Sequence, residues 1–379
     1  MIRHSEAVLA GHPDKFCDQI ADRVVEAAYR IDPEAYAQIE VAAWSDRIFL
    51  NGATVTRSPF EFDLKDLITE IGIETGNCRD ALRYNASDTG ANHIDAEQYR
   101  LSDTICRIEG DPTEWTRHVN DQAIVIGWAG YDEKVRHLPP EHFLAHSLRE
   151  ALDASFLPGG HLEKQGPDGK LLVRLRENVD PRSCRRNSWE VEQILVTVQQ
   201  RPEVAFGELC ERIALVVRDA YELTLAADPR WRADWRDIEL MVNPNGPLLN
   251  GGSDGDNGQT GRKLVMDYYG PRVPIGGGAL SGKDLSHIDR AGAYAARNAC
   301  VDAVAGGADS AEVLVAYAPG RSAPLDIRWT IQGGRHIERD SERFAHAAAR
   351  ETAKSGSLRE LARGGHFFST TASWNLPNV

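Results

Sequence analysis

The sequence predicts an α+β fold made of mixed or antiparallel sheets with helices on one face. Three observations carry that expectation. Strand-like segments come in pairs: the run around Ile39 with RIFLNGATVT, KLLVRLREN with EVEQILVTVQQR, and EVLVAYA with LDIRWTI. Helix-period segments accompany the pairs instead of alternating with single strands, which points away from a parallel doubly wound sheet. The unit of two strands, a turn and a helix recurs three times, which suggests repeated subdomains, although no residue-level repeat is visible.

The elements follow in order. From Pro13 a helix is expected, because proline suits the first helical position and Phe16, Ile20, Val24 and Ala28 recur every fourth residue. Ile39, Val41 and Ala43 alternate with Glu40 and Ala42, turn at Ser45-Asp46 and return through residues 47–56 as a hairpin. Ala123–Trp128 reads as a buried strand. Residues 170–178 and 190–201 form a strand pair, followed by a helix with Phe206, Leu209, Ile213 and Val217 on one face. Ser286-His287-Ile288-Asp289 has the form of a capping box, opening a helix that ends near Gly306-Gly307. Two strands close the series, the second with Leu325, Ile327, Trp329 and Ile331 on one face.

A chain of 379 residues has room for two or three domains with real cores. The net charge of −14 argues against nucleic acid or a membrane surface as a general partner, so a polyanionic ligand needs a local cationic cluster. Six cysteines are scattered without a CxxC pair, as expected of reduced thiols in the cytoplasm. The opening MIRHSEAVLAGHPDK has no signal-type apolar region, and no run approaches the roughly 18 apolar residues of a membrane span.

The chemistry concentrates in short stretches. GGSDGDNGQTGRK, residues 251–263, carries five glycines, Asp254, Asp256 and then Arg262-Lys263. It reads either as a flexible surface loop or as a loop that wraps an anion. GGGALSGKD, from Gly276 to Asp284, satisfies G-x-x-x-x-G-K, but Asp284 stands where a nucleotide-binding P-loop needs Ser or Thr. What survives is close backbone approach and the point charge of Lys283. Asp289 falls in the first turn of the next helix, where a carboxylate also serves simply as a cap. In GHPDK, His12, Asp14 and Lys15 gather at a helix entrance, where unpaired N–H groups favour an anion. Asp168 and Lys170 of PDGK, and Asp121 before the buried strand, read in isolation as turn residues. No Ser-His-Asp order, HExxH or nucleophile elbow stands out. Phosphate clamps and metal-type carboxylates without a nucleophile favour chemistry in which the substrate brings its own.

Three of these stretches together are recognisable. GHPDKFCDQIADRVVEAA, NDQAIVIGWAGYDE and the block from Gly251 to Arg297 resemble the S-adenosylmethionine synthetase (methionine adenosyltransferase) family, from His12 to about Pro319, with a fainter match at Gly365-His366-Phe367. The resemblance implies three pseudo-symmetric subdomains, approximated here as 1–110, 111–235 and 236–379, with interleaving allowed. It implies active sites between two subunits, hence a homodimer or dimer of dimers, and ATP and methionine as substrates. A thioether sulfur attacks C5′ of ATP, expels triphosphate, and the triphosphate is then cleaved. By position, His12 resembles the group that meets the departing O5′, and Lys15, Arg262, Lys263 and Lys283 the triphosphate clamp. Asp14 and Asp289 resemble ligands of two magnesium ions, and Glu40 a potassium ligand. Asp121, Asp168, Lys170, Asp256 and Ala279 match nucleotide-contacting positions, with Asp256 also near the amino acid.

The departures from the family pattern are concentrated. Ala10 replaces a glutamate in SEGHPDK, and Ala53 replaces the glutamate of GGE that contacts methionine. His287 replaces a lysine associated with methionine, the GDQG turn reads Asn120-Asp121-Gln122-Ala123, and no gating-loop motif is recognisable between Ala91 and Asn120. Losing a carboxylate that binds an ammonium group costs about 1.5–3 kcal/mol. An alternative expectation is therefore adenosyl transfer to a nucleophile other than methionine. Further alternatives are a triphosphatase and a non-catalytic nucleotide sensor.

Overall fold

The structure, a computed structural model, describes residues 1–76, 96–333 and 340–378. Its strands form three sheets, in an α+β arrangement as the sequence predicts. The strands in chain order are β1 (Ile2–Val8), β2 (Tyr36–Trp44), β3 (Arg47–Thr56), β4 (Arg100–Asp103), β5 (Cys106–Glu109) and β6 (Ala123–Gly130). They continue as β7 (Gly169–Asn178), β8 (Ser188–Val198), β9 (Glu239–Val242), β10 (Gly258–Gln259), β11 (Ser310–Tyr317) and β12 (Asp326–Gln332). The longer helices are α1 (Pro13–Ile31), α2 (Leu64–Glu74), α3 (Pro140–Ser155), α4 (Phe206–Ala227), α5 (Ile288–Ala305) and α6 (His346–Ala353).

The hairpin β2–β3 forms as expected, with Ser45 in the left-handed region at the turn (φ 50°). It belongs to a sheet ordered β10-β2-β3-β4, with β5 also parallel to β3. A second sheet runs β1-β7-β8-β9 and a third β12-β11-β6. Strand pairing crosses the approximate boundaries at 110 and 235. β1 pairs with β7 from Ile2↔Arg176 to Val8↔Lys170, and β6 pairs with β11 from Ala123↔Tyr317 to Gly130↔Ser310. Each sheet thus needs distant segments, and interleaving is how their apolar faces are covered.

Sheet β1-β7-β8-β9 packs under α3 and α4 around Leu148, Leu152, Val173, Leu209 and Ile213. The other two sheets share a core with α1, α5 and the C-terminal segment. On α1 the expected stripe Phe16, Ile20, Val24 and Ala28 is buried. Asp14, Asp18 and Asp22 are buried as well, so this helix is enclosed nearly all round. β1 and α3 escape the sequence reading. The signal for α3 was present, with Pro140 at its start and Leu144, Leu148 and Leu152 every fourth residue.

Two expectations are corrected. The cap of α5 is His287, not Ser286: His287 Nδ1 accepts the Asp289 N–H at 3.3 Å, while Ser286 Oγ donates to Asp284. The capping-box form fails because Asp284 claims the serine hydroxyl first. Leu325 precedes β12 and is exposed, so only Ile327, Trp329 and Ile331 form the half-buried face. The span 91–120 lies partly outside the described residues; its described part carries β4 and β5. No helix among the described residues is long and apolar enough to cross a membrane.

Candidate active site

The N-terminus of α1 builds the first part of the site. His12 is the N-cap, its Nδ1 accepting the Asp14 N–H at 3.2 Å, with Pro13 at the first helical position. Burial, reinforced by Lys263 and Lys170, lowers its pKa to about 4, although Asp14 and Asp256 pull the other way. The imidazole is therefore neutral near pH 7, and its 3.9 Å approach to the Asp14 carboxylate is not an ion pair. Asp14 is buried, with Oδ1 accepting the Gln259 N–H at 2.8 Å and Oδ2 bound by the Lys263 ammonium.

The glycine loop 251–263 folds across this helix end. It approaches so closely that a Cβ on Gly258 would lie 2.2 Å from the Pro13 carbonyl oxygen. Arg262 is the most open of its cations, 3.7 Å from Asp14 and hydrogen-bonded to the Asn257 side chain at 3.0 Å. Together His12, Lys170, Asp256, Arg262 and Lys263 line one cavity of about 460 Å³, within the range of small-molecule sites. Lys170 enters it from β7, one strand position from β1. Asp168, just before β7, is buried and accepts the Gly252 N–H at 3.0 Å. Burial, with the nearby Asp256 charge, pushes its carboxyl up to about 6.

A second cluster surrounds the start of α5. Lys283 donates to Asp289 at 2.5 Å, and Asp289 lies so close to Gly278 that a Cβ there would meet its carboxylate carbon at 2.3 Å. Ala279 rests against Gly261, joining the two glycine loops. Gln38 bridges to Lys283 and stands opposite Ala53 across the hairpin, so Ala53 belongs to this side. Asp121 is exposed and near enough to raise the His287 pKa against the larger lowering by burial and Lys283. None of Lys283, Asp289, His287, Ala53 or Asp121 lines the cavity of the first cluster.

Lys15, His287 and Glu40, all expected at the site, do not line that cavity. Lys15 does not face the cavity: its ammonium is buried between Asp18, at 2.9 Å, and Asp267. Its charge is already committed, because an unpaired ammonium inside the core would be far costlier. His287 is buried, and its Nδ1 accepts the Asp289 N–H as the cap of α5, the arrangement His12 has on α1. Glu40 is exposed on β2 opposite Asn51, and no cluster of three or more His, Cys, Asp or Glu side chains that could hold a metal exists among the described residues. Sequence reasoning missed the residues that hold the glycine loops. Asp18 accepts the Gly261 N–H at 2.9 Å, Asp22 the Gly282 N–H at 2.8 Å, and His366 bonds Ser281 and Tyr294. The fourfold spacing of Asp14, Asp18 and Asp22 was the available signal.

Fold and site together define an α+β enzyme whose glycine loops present cations and carboxylates suited to a polyanion. The comparisons agree. Residues 1–94 match the family described as S-adenosylmethionine synthetase, N-terminal domain, and residues 250–375 the corresponding C-terminal domain. An S-adenosylmethionine synthase of Methylobacterium radiotolerans is 35% identical over 342 residues, 87% of this chain and 80% of the relative. One from Bradyrhizobium sp. (strain ORS 278) is 32% identical over 393 residues, 98% of this chain and 91% of the relative. A structure described as an unusual S-adenosylmethionine synthetase from Campylobacter jejuni shares the fold with a TM-score of 0.84 at 22% identity, covering 99% of this chain and 97% of that one. The chain belongs to the S-adenosylmethionine synthetase family.

Proposed function

We propose that the protein is a methionine adenosyltransferase. The thioether sulfur of methionine attacks C5′ of ATP, the C5′–O5′ bond breaks, and triphosphate leaves with the bonding pair. The product is a sulfonium, and water then splits triphosphate into phosphate and diphosphate. The observation that carries this reading is the convergence of His12, Lys170, Asp256, Arg262 and Lys263 on one cavity at the N-terminus of α1. A thioether has free lone pairs and no proton to lose, so no general base is needed. The barrier lies in the departing charge, which preorganised cations stabilise. Neutral His12 meets O5′, Arg262, Lys263 and Lys283 take the triphosphate oxygens, and Asp168 and Asp256 hold the nucleotide side.

Magnesium fits the donor set. Asp14 and Asp289 are each neutralised by a lysine, Lys263 and Lys283, standing in the place of a cation. Magnesium is typically held by one or two carboxylates plus substrate phosphates, so it needs no all-protein cage. Asp14 and Asp289 would hold the ion, which would supply positive charge to the departing triphosphate beside Lys263 and Lys283. The complete site forms between two copies of the chain, as a homodimer or dimer of dimers. Supporting this, the Lys283 cluster lies outside the cavity, and the outward β2–β3 face exposes Trp44 (55%) and Phe49 (42%).

The test is incubation with ATP, methionine, Mg²⁺ and K⁺, followed by detection of the sulfonium product. Absence of product with active-site nucleotide bound would end the proposal. Two further outcomes are expected. Chelating Mg²⁺ abolishes transfer, and adding it back restores the rate. In addition, kcat/KM for ATP falls as pH drops through about 6, because the Asp168 carboxylate protonates there and loosens its hold on the Gly252 N–H. The Asp168→Asn variant should be slower throughout and lack that acid limb; an unchanged limb would assign it elsewhere.

A further inference from the structure

Asp14, Asp18 and Asp22 stand four residues apart on α1, so the helix stacks them on one face. All three are buried, and each takes one main-chain N–H from a glycine loop: Gln259 at 2.8 Å, Gly261 at 2.9 Å and Gly282 at 2.8 Å. Each also has a cation. Lys263 serves Asp14, Lys15 serves Asp18, and Arg290 grips Asp22 with two bonds of 2.7 and 2.9 Å. Only the Lys263 end reaches the cavity; Lys15 and Arg290 are buried. Arg290 donates in addition to the Lys283 carbonyl at 2.8 Å.

Resting on the adenosyl-transfer reading, we infer that this aspartate column is a positioning device. It sets loops 258–263 and 276–283 against one rigid helix, and so fixes where Arg262, Lys263 and Lys283 point. Ionisable side chains are an expensive way to fill a helix core, and apolar residues would pack it at lower cost. Their specific return is loop registry: a carboxylate can hold a main-chain N–H and a cation at once, which an apolar side chain cannot. Asp18 and Asp22 do not line the cavity of His12 and act through the loops, so they are positioning residues.

The test uses the full chain with Asp18→Ala, Asp18→Asn and Asp22→Ala, alongside Arg230→Met, which breaks a half-buried ion pair with Asp132 and Asp228, neither of which holds a glycine loop. Asp18→Ala should lower kcat by about 10- to 100-fold, the scale of a small misplacement of catalytic groups. Asp18→Asn, which keeps an oxygen towards Gly261, should recover most of that rate. Arg230→Met should lower the melting midpoint and leave kcat unchanged. Amide exchange at Gly261 and Gly282 gives a readout independent of turnover, and exchange should accelerate in Asp18→Ala and Asp22→Ala respectively. Wild-type kcat in Asp18→Ala, or slow exchange retained at both glycines, overturns the inference. A wild-type protein with slow exchange but no transfer would instead overturn the adenosyltransferase reading and leave the column standing as a loop anchor.

Discussion

Replacing Lys283 with methionine is expected to lower kcat/KM for ATP by about 10²- to 10³-fold, the scale found when one preorganised charge-stabilising donor is removed. The reason is the platform beneath the lysine. Gly282 is held from both sides, its N–H by Asp22 and its carbonyl by the Ile39 N–H at 2.7 Å, while Arg290 holds the Lys283 carbonyl. The ammonium is thus fixed in place, bonded to Asp289, and on the proposed function it would pass to a phosphate oxygen. Lys283→Arg should not rescue fully, because a planar fork cannot replace a compact point charge on so fixed a backbone. Steady-state kinetics check this, with thermal unfolding as control. The pair is largely buried, with Lys283 11% and Asp289 13% exposed, so the melting midpoint should fall, though less than for a fully enclosed pair. A rate within threefold of wild type, roughly 0.6 kcal/mol, would remove Lys283 from the charge-stabilising set.

Arg290→Met is expected to destabilise the fold by about 3–5 kcal/mol, the range for leaving one partner of a buried ion pair uncompensated. Arg290 and Asp22 both have 0% side-chain exposure. Their separation of 268 residues means that the bond ties the first helix to α5 and to the loop between them. Removing the guanidinium strands the Asp22 carboxylate in the core, with only the Gly282 N–H left to solvate it. Urea unfolding followed by circular dichroism measures the loss. In the double variant Asp22→Leu/Arg290→Met, much of the stability should return, since neither charge remains to be desolvated. Full stability in the single variant would mean that water reaches this site.

The candidate site was legible where its chemistry is written in contiguous residues. Arg262, Lys263, Asp256, Lys170 and His12 share a cavity, as the motifs suggest when read together. Lys15 does not reach the cavity that His12 lines, because its ammonium turns inward to Asp18 and Asp267. A residue one position further along a helix points about a quarter-turn away, and here that direction leads into the core. The motif likewise does not show that the His287 Nδ1 caps α5 by accepting the Asp289 N–H.

The sequence by itself determined the local and the chemical. The start of α1 at Pro13, the β2–β3 turn, the loop glycines and the family follow from residues a few positions apart, where steric limits and short-range hydrogen bonds decide. Only the tertiary structure decided which cation each aspartate of α1 keeps, that the sheets interleave across distant segments, and that the Lys283 cluster lies outside the cavity of His12. Those outcomes depend on burial. Desolvation sets which charges must pair and which stay open to a ligand, and burial exists only once segments hundreds of residues apart have packed.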